Sequence, residues 1–198
     1  SDMVIDRLDI RDGAELARET GLPGENDPRA MVVSEGTVFQ VREYVLSASN
    51  GNGTLWEVDL GTPEWDGVAV AANERVVVVR RHTDLALFAR RDGQRLATVE
   101  VPACGTPLLA LSDEHVVSGG TACLDVHRLD SLAHLWHRDD LVNALPAIDA
   151  YHVFAGTREG LEAIDLDTGQ TSWVATDVDP GFNIVTTNNL VLLSLIHI

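Results

Sequence analysis

Hydrophobic positions along this chain fall in short runs and not in long stripes. Residues 144–149, 152–156, 161–165 and 171–175 are four such runs, bounded by Asp, Gly, Thr and Tyr-His turn segments. Runs of this length between turn residues predict four strands joined by tight connections. Arg75-Val76-Val77-Val78-Val79 is β-branched almost throughout, as expected of a strand buried on both faces. Only residues 14–19 could pass for a helical turn, and the repeat register outweighs that reading. The pattern therefore predicts an all-β chain of four-stranded antiparallel meanders.

The quartet of runs recurs. With Trp173 as anchor, the equivalent positions upstream are Trp136, Ala97, Trp56 and Ala17, spaced 37 to 41 residues apart. A period in this range marks a repeat architecture. Gly13, Gly93 and Gly169 each stand four residues before their anchor, and the segments 11–17 and 91–97 are recognisably the same. A turn that needs φ > 0 takes Gly without a Cβ clash. The copy ending at Trp56 carries an Asn-Gly turn, Ser49-Asn50-Gly51-Asn52-Gly53, and the copy ending at Trp136 has Leu132 where the Gly is expected. Four full units fit between about residues 29 and 178, with a partial unit at each end. The N-terminal one enters at a third strand and the C-terminal one stops after a second.

The best copy, Ala163-Ile164-Asp165-Leu166-Asp167-Thr168-Gly169-Gln170-Thr171-Ser172-Trp173, fits A-x-D-x-x-x-G-x-x-x-W. It resembles the repeat of quinoprotein-like β-propellers, named for dehydrogenases that use pyrroloquinoline quinone (PQQ). The resemblance implies a propeller of four-stranded blades, with Trp56, Trp136 and Trp173 packed between adjacent blades. Propellers have about 4–8 blades, so this length predicts an open, truncated arc over residues 1–192. The last six residues, 193–198, are what CTG TCT CTT ATA CAC ATC encodes, which resembles a transposon adaptor, and they are set apart as an artefactual tail. The alternative is a genuine terminal strand that closes a five-bladed ring.

Charge narrows the partners. The formal net charge is −17, and all 14 basic residues are Arg. Such acidity disfavours nucleic acid and anionic membrane. Salt adaptation and GC-rich codon usage both produce this composition. No apolar run is long enough for a membrane span.

Candidate chemistry is sparse. His134 and His137, with His115 and His127 in the same unit, invite a metal. On a regular strand, however, residues 134 and 137 point to opposite faces, so no metal site is expected. Asp165, Asp167 and Gly169 lack the spacing of a calcium loop; Asp139-Asp140 and the acidic stretch around Asp177 and Asp179 read as solvated connections. Trp65 lies in a connection between blades, where an exposed aromatic would suit binding. Placed in a blade, Cys104 enters the first strand and Cys123 joins the second to the third, on one face. That placement favours a Cys104–Cys123 disulfide and an extracytoplasmic location; two independent thiols remain the alternative. No phosphate loop, nucleophile elbow or catalytic residue stands out.

The expected function is a non-enzymatic scaffold binding a protein or surface ligand, without cofactor. Relatives of that kind resemble envelope assembly lipoproteins and sensor ectodomains. The alternative is part of a PQQ-dependent alcohol or sugar dehydrogenase, with PQQ and calcium. Those enzymes resemble this chain in fold, but many carry a disulfide between adjacent cysteines, whereas Cys104 and Cys123 are nineteen apart.

Overall fold

The computed structural model describes residues 30–61, 67–120, 122–139 and 146–176, together with four peripheral strands, 4–8, 15–20, 183–187 and 190–194. Gly13, Trp65, Asp140 and the stretch at 177–181 lie outside the described residues. Every described element is a strand. β1 (Val4–Leu8) and β2 (Glu15–Thr20) form a two-stranded sheet; so do β19 (Asn183–Thr187) and β20 (Leu190–Ser194).

Between them stand four antiparallel meanders. Blade A comprises β3 (Ala30–Ser34), β4 (Thr37–Arg42), β5 (Val45–Asn50) and β6 (Gly53–Asp59). Blade B comprises β7 (Val68–Ala72), β8 (Val76–Arg81), β9 (Asp84–Ala89) and β10 (Arg95–Glu100). Blade C comprises β11 (Leu108–Leu111), β12 (His115–Gly119), β13 (Leu124–Arg128) and β14 (His134–Arg138). Blade D comprises β15 (Ala147–Ile148), β16 (His152–Thr157), β17 (Gly160–Asp165) and β18 (Thr171–Ala175). The first strands of successive blades touch, β3 against β7, β7 against β11, β11 against β15 and β15 against β19, so they line the inside of an open arc.

Two strands differ from the hydrophobic pattern by more than one residue. The first strand of blade D is Ala147–Ile148 and not 144–149. Asp149 instead accepts bonds from the backbone N–H groups of Tyr151 and His152, both at 2.7 Å, and so begins the turn. β8 runs two residues beyond Val79, through Arg80 and Arg81.

Strand alternation explains why the middle strands are apolar on both sides. Val77 and Val79 of β8 pack with Phe39, Val41, Leu46 and Ala48 of blade A, while Val78 packs with Val116, Leu129 and Leu132 of blade C. Val117, Leu124, Val126 and Trp136 continue the pattern against Val153, Ala155, Ile164 and Leu166 of blade D. The core is thus divided into slabs between blades.

The anchors occupy one structural position. Ala17, Trp56, Ala97, Trp136 and Trp173 each pair with the neighbouring third strand, at Arg7, Ala48, Leu87, Val126 and Ala163, beside a register shift. From there Trp56 reaches blade B, where its Nε1–H donates to the Arg90 carbonyl at 2.9 Å. Trp136 does the same in blade D, to the Leu166 carbonyl at 2.8 Å. A Cβ on Gly93 would come within 2.7 Å of the Trp56 ring, and one on Gly169 within 2.8 Å of Trp136. Both glycines have φ near +70°. The turn Gly therefore serves twice, for its conformation and for the absence of a side chain where the ring lies.

Trp173 departs from the expected wedge role. It is 42% exposed, and its ring contact is Phe154 of its own blade, at 5.9 Å between centroids. The physical reason is that a wedge needs the following blade's turn above it. Among the described residues only the strands β19 and β20 follow blade D.

Candidate functional site

In an antiparallel meander, the connections between blades and those between second and third strands emerge on one face, here the connector face. On that face blade C gathers its unusual residues. β13 presents Asp125 and His127 toward blade B, because they pair with Ser118 and Val116 of β12, whose side chains face the same way. Arg80 of blade B, fully buried, donates to Ser118 Oγ at 3.0 Å and to the Pro102 carbonyl at 2.8 Å.

Asp125, 1% exposed, is the hub. Its Oδ1 lies 2.9 Å from His137 Nδ1 and 3.5 Å from His134 Nε2. This corrects the strand-parity argument, which separated the two histidines. The register shift between Val126 and His127 sets Trp136 opposite Val126 but His134 opposite His127, so Leu135 is the extra residue of a bulge. The bulge turns His134 back toward the face that His137 occupies. His137 Nε2 in turn meets Asp139 Oδ1 at 2.6 Å. Burial acts to lower the His137 pKa, but the bonds to Asp125 and Asp139 prevail and raise it above the ordinary value.

His127, edge-on to His134 at 5.1 Å, is pushed down to about 4. Burial is the main cause, with His134 and Arg80 adding to it and Asp125 opposing. It is therefore a neutral imidazole at physiological pH. Burial also lowers the Arg80 pKa, against the charge of Asp125, but a guanidinium stays protonated. Arg80 Nε and His127 Nδ1 are buried without a hydrogen-bond partner.

Cys104 and Cys123 border this cluster, joined as a disulfide with their Cα atoms 5.3 Å apart. Cys104 Sγ is 4.0 Å from Asp125 Oδ2. The connection carrying Cys104 lies directly on Gly120, where an added Cβ would overlap the Cys104 carbonyl. Gly120 is thus what allows the connection to cross the second strand.

Asp139 faces two ways. Besides His137 it borders an open groove between blades C and D, lined by Arg138, Thr157, Arg158, Glu159, Glu162 and Thr171. At its floor Arg138 Nη1 binds Glu162 Oε2 at 3.0 Å, and Thr171 Oγ1 donates to the same oxygen at 2.8 Å. Arg158 and Glu159 stand exposed at the rim. On the opposite face Asp167 clasps blades C and D, 3.1 Å from His115 Nε2 and 2.9 Å from Arg128 Nη2. Asp165 caps its own turn through Thr168, whose hydroxyl and N–H lower the Asp165 pKa.

Sequence reading missed the hub. Asp125 and Arg80 belong to no motif, and the only available signal was an Arg and an Asp inside otherwise apolar strand runs.

No protein-family model and no curated protein matches this chain. Solved structures do. BamB from Moraxella catarrhalis superposes with a TM-score of 0.58 at 20% identity, covering 72% of this chain and 46% of BamB. The computationally designed Ika8 protein gives 0.70 at 19% identity, covering 92% of this chain and 59% of that one. Quinohemoprotein alcohol dehydrogenase ADHIIG from Pseudomonas putida HK5 gives 0.56 at 15% identity, covering 77% and 34%. This chain thus spans about half the length of the first two. BamB and the dehydrogenase are both propellers of the PQQ-like kind, and at these identities the likeness establishes a shared propeller fold.

Proposed function

We propose that this chain is a binding module, a stiff propeller arc that takes a protein partner on its connector face outside the cytoplasm and performs no chemistry of its own. The observation that carries this reading is the groove between blades C and D. Its floor groups are committed to one another, while Arg158, Glu159 and Asp139 stand exposed at its edge with both signs of charge. Loops held on a rigid scaffold, with charged groups around a cleft, suit recognition of a polar protein surface. The net charge of −17 argues against a nucleic-acid partner. No helix among the described residues is long and apolar enough to cross a membrane. The likeness to BamB supports the scaffold reading, and the likeness to the quinohemoprotein alcohol dehydrogenase keeps a PQQ-dependent activity as its rival.

A photo-cross-linking residue placed at Arg158, compared with one at the exposed Leu96 on the outer edge of blade B, tests the proposal. With envelope extract of the source cell, a discrete protein adduct is expected from 158 and not from 96. Equal labelling from both positions, or saturable binding of PQQ in the presence of calcium, would overturn it.

A further inference from the structure

We infer that the pocket around Cys104 and Cys123 is a redox-exchanged metal site, closed by a disulfide when oxidised and able, once reduced, to hold one Zn²⁺. The inference stands on this pocket alone, whatever partner the groove takes.

Three observations carry it. First, donor atoms of Cys104, Cys123 and Asp125 lie within 4.8 Å of one another, all buried, and those of Cys123, His137 and Asp139 lie as close, with His137 and Asp139 exposed. The two groups share Cys123, and Asp125 Oδ1 of the first lies 2.9 Å from His137 Nδ1 of the second, so the two triads adjoin. A tetrahedral zinc site needs bonds of about 2.3 Å to sulfur and about 2.0–2.2 Å to nitrogen and oxygen, which places donors roughly 3–4 Å apart. Reduction breaks the bond between the two sulfurs, which then separate to that spacing, while Asp125 and His137 already lie 2.9 Å apart.

Second, the donor set is the right kind. Two thiolates, an imidazole and a carboxylate are borderline-soft ligands that favour zinc over calcium or magnesium. Asp139 supplies what an isolated cluster would lack. Its carboxylate, 2.6 Å from His137 Nε2, accepts that N–H and leaves the Nδ1 lone pair directed at Asp125. Two acceptors facing one another need a cation between them, either a proton or a metal. A carboxylate behind a ligating histidine fixes the tautomer and raises its basicity.

Third, the frame is built. Gly120 seats the Cys104 connection against β12 with no room for a side chain, and His137 is held on β14 by the bulge that Trp136 anchors. The ligands therefore come from blade C and the connection that enters it, which Gly120 holds against β12.

The exchange balances. A dithiol gives two electrons and two protons to the Cys104–Cys123 disulfide and itself becomes a disulfide. The two thiols formed then release two protons as Zn²⁺ binds both sulfurs, and the proton held between His137 Nδ1 and Asp125 leaves as a third when these two complete four-coordination.

The test uses the full chain, oxidised and dithiol-reduced, with the reductant removed under anaerobic conditions. Co²⁺ serves as spectroscopic probe and Zn²⁺ as competitor against a chromophoric chelator. The reduced chain is expected to take one equivalent, with sulfur-to-cobalt charge transfer and the intense ligand-field bands of a four-coordinate site; the oxidised chain takes none. Zn²⁺ should protect both cysteines from alkylation. Cys123→Ser should abolish the charge-transfer band, and Asp139→Asn should weaken affinity roughly 10–100-fold without removing it. A reduced chain that binds neither metal, folded or not, overturns the proposal. So does a spectrum without sulfur ligation, or uptake that Cys123→Ser leaves unchanged. The oxidised-against-reduced comparison needs no substitution, so a variant that fails to fold does not blunt it.

Discussion

The interface between blades B and C is built differently from the interfaces on either side of it. Blades A and B, and blades C and D, are closed by a tryptophan laid over a glycine turn, Trp56 on Gly93 and Trp136 on Gly169. At the B–C interface the anchor is Ala97, and the turn Gly is replaced by Leu132. Leu132 keeps the left-handed backbone that the turn requires, with φ 54°, and is 1% exposed in the apolar cluster against which Ala97 packs. Bulk has moved from the strand of one blade to the turn of the next. The same interface carries Arg80, Ser118, Asp125 and His127, all buried, at its connector end. The repeat thus constrains the volume between blades more tightly than it constrains which blade supplies it.

The largest expected effect breaks a Trp–Gly interface. Trp136→Ala should lower the free energy of unfolding by about 3–5 kcal/mol in urea titration, since it removes a buried ring and leaves the Leu166 carbonyl without its donor. Gly169→Ala attacks the same contact from the other side. With a Cβ 2.8 Å from the Trp136 ring and φ of +70°, it should cost about 1–3 kcal/mol. Trp173→Ala sharpens the contrast. The ring is 42% exposed and rests on Phe154, so about 1 kcal/mol is expected, well below its sister Trp136.

The smallest effect concerns the turn itself. The Asp165 carboxyl is held below its ordinary value, first by the Thr168 hydroxyl and then by the Thr168 N–H. A depressed carboxylate stabilises the fold above its unfolded pKa, near 3.8, and that contribution is lost as pH falls through the lower folded value. The Tm difference between wild type and Asp165→Asn should therefore be present at pH 6 and shrink toward pH 2. A difference that grows on acidification would contradict the assigned bonds.

Much of the blade arrangement was legible in the sequence because it rests on period and turn chemistry. Four runs per unit, and anchors 37 to 41 residues apart, were enough to place the strands and their order. What escaped was local geometry. Strand parity assumes a strand without bulges, and the anchor position is where each outer strand bulges, so His134 and His137 were assigned to opposite faces when both approach Asp125. Arg80 was invisible for another reason. An arginine at the end of a valine run reads as the strand's exit to solvent, and only the neighbouring blade, with Ser118 and the Pro102 carbonyl, makes burial tolerable. Exposure of Trp173 could not be read from its motif, since the motif lies in one blade and the cover would come from the next.

The reciprocal exchange of bulk across the B–C interface is tested most directly by a double-mutant cycle at 97 and 132. Ala97→Trp alone should destabilise by about 1–3 kcal/mol, because Leu132 already fills the space. Leu132→Gly alone should also destabilise, through the cavity it leaves. The double substitution rebuilds the Trp–Gly pair of the adjacent interfaces, and its cost should fall short of the sum of the two by at least about 1 kcal/mol, a coupling expected only of residues that share one volume. Strictly additive costs would mean that positions 97 and 132 do not share that space, and the account of how the blades are spaced would be wrong.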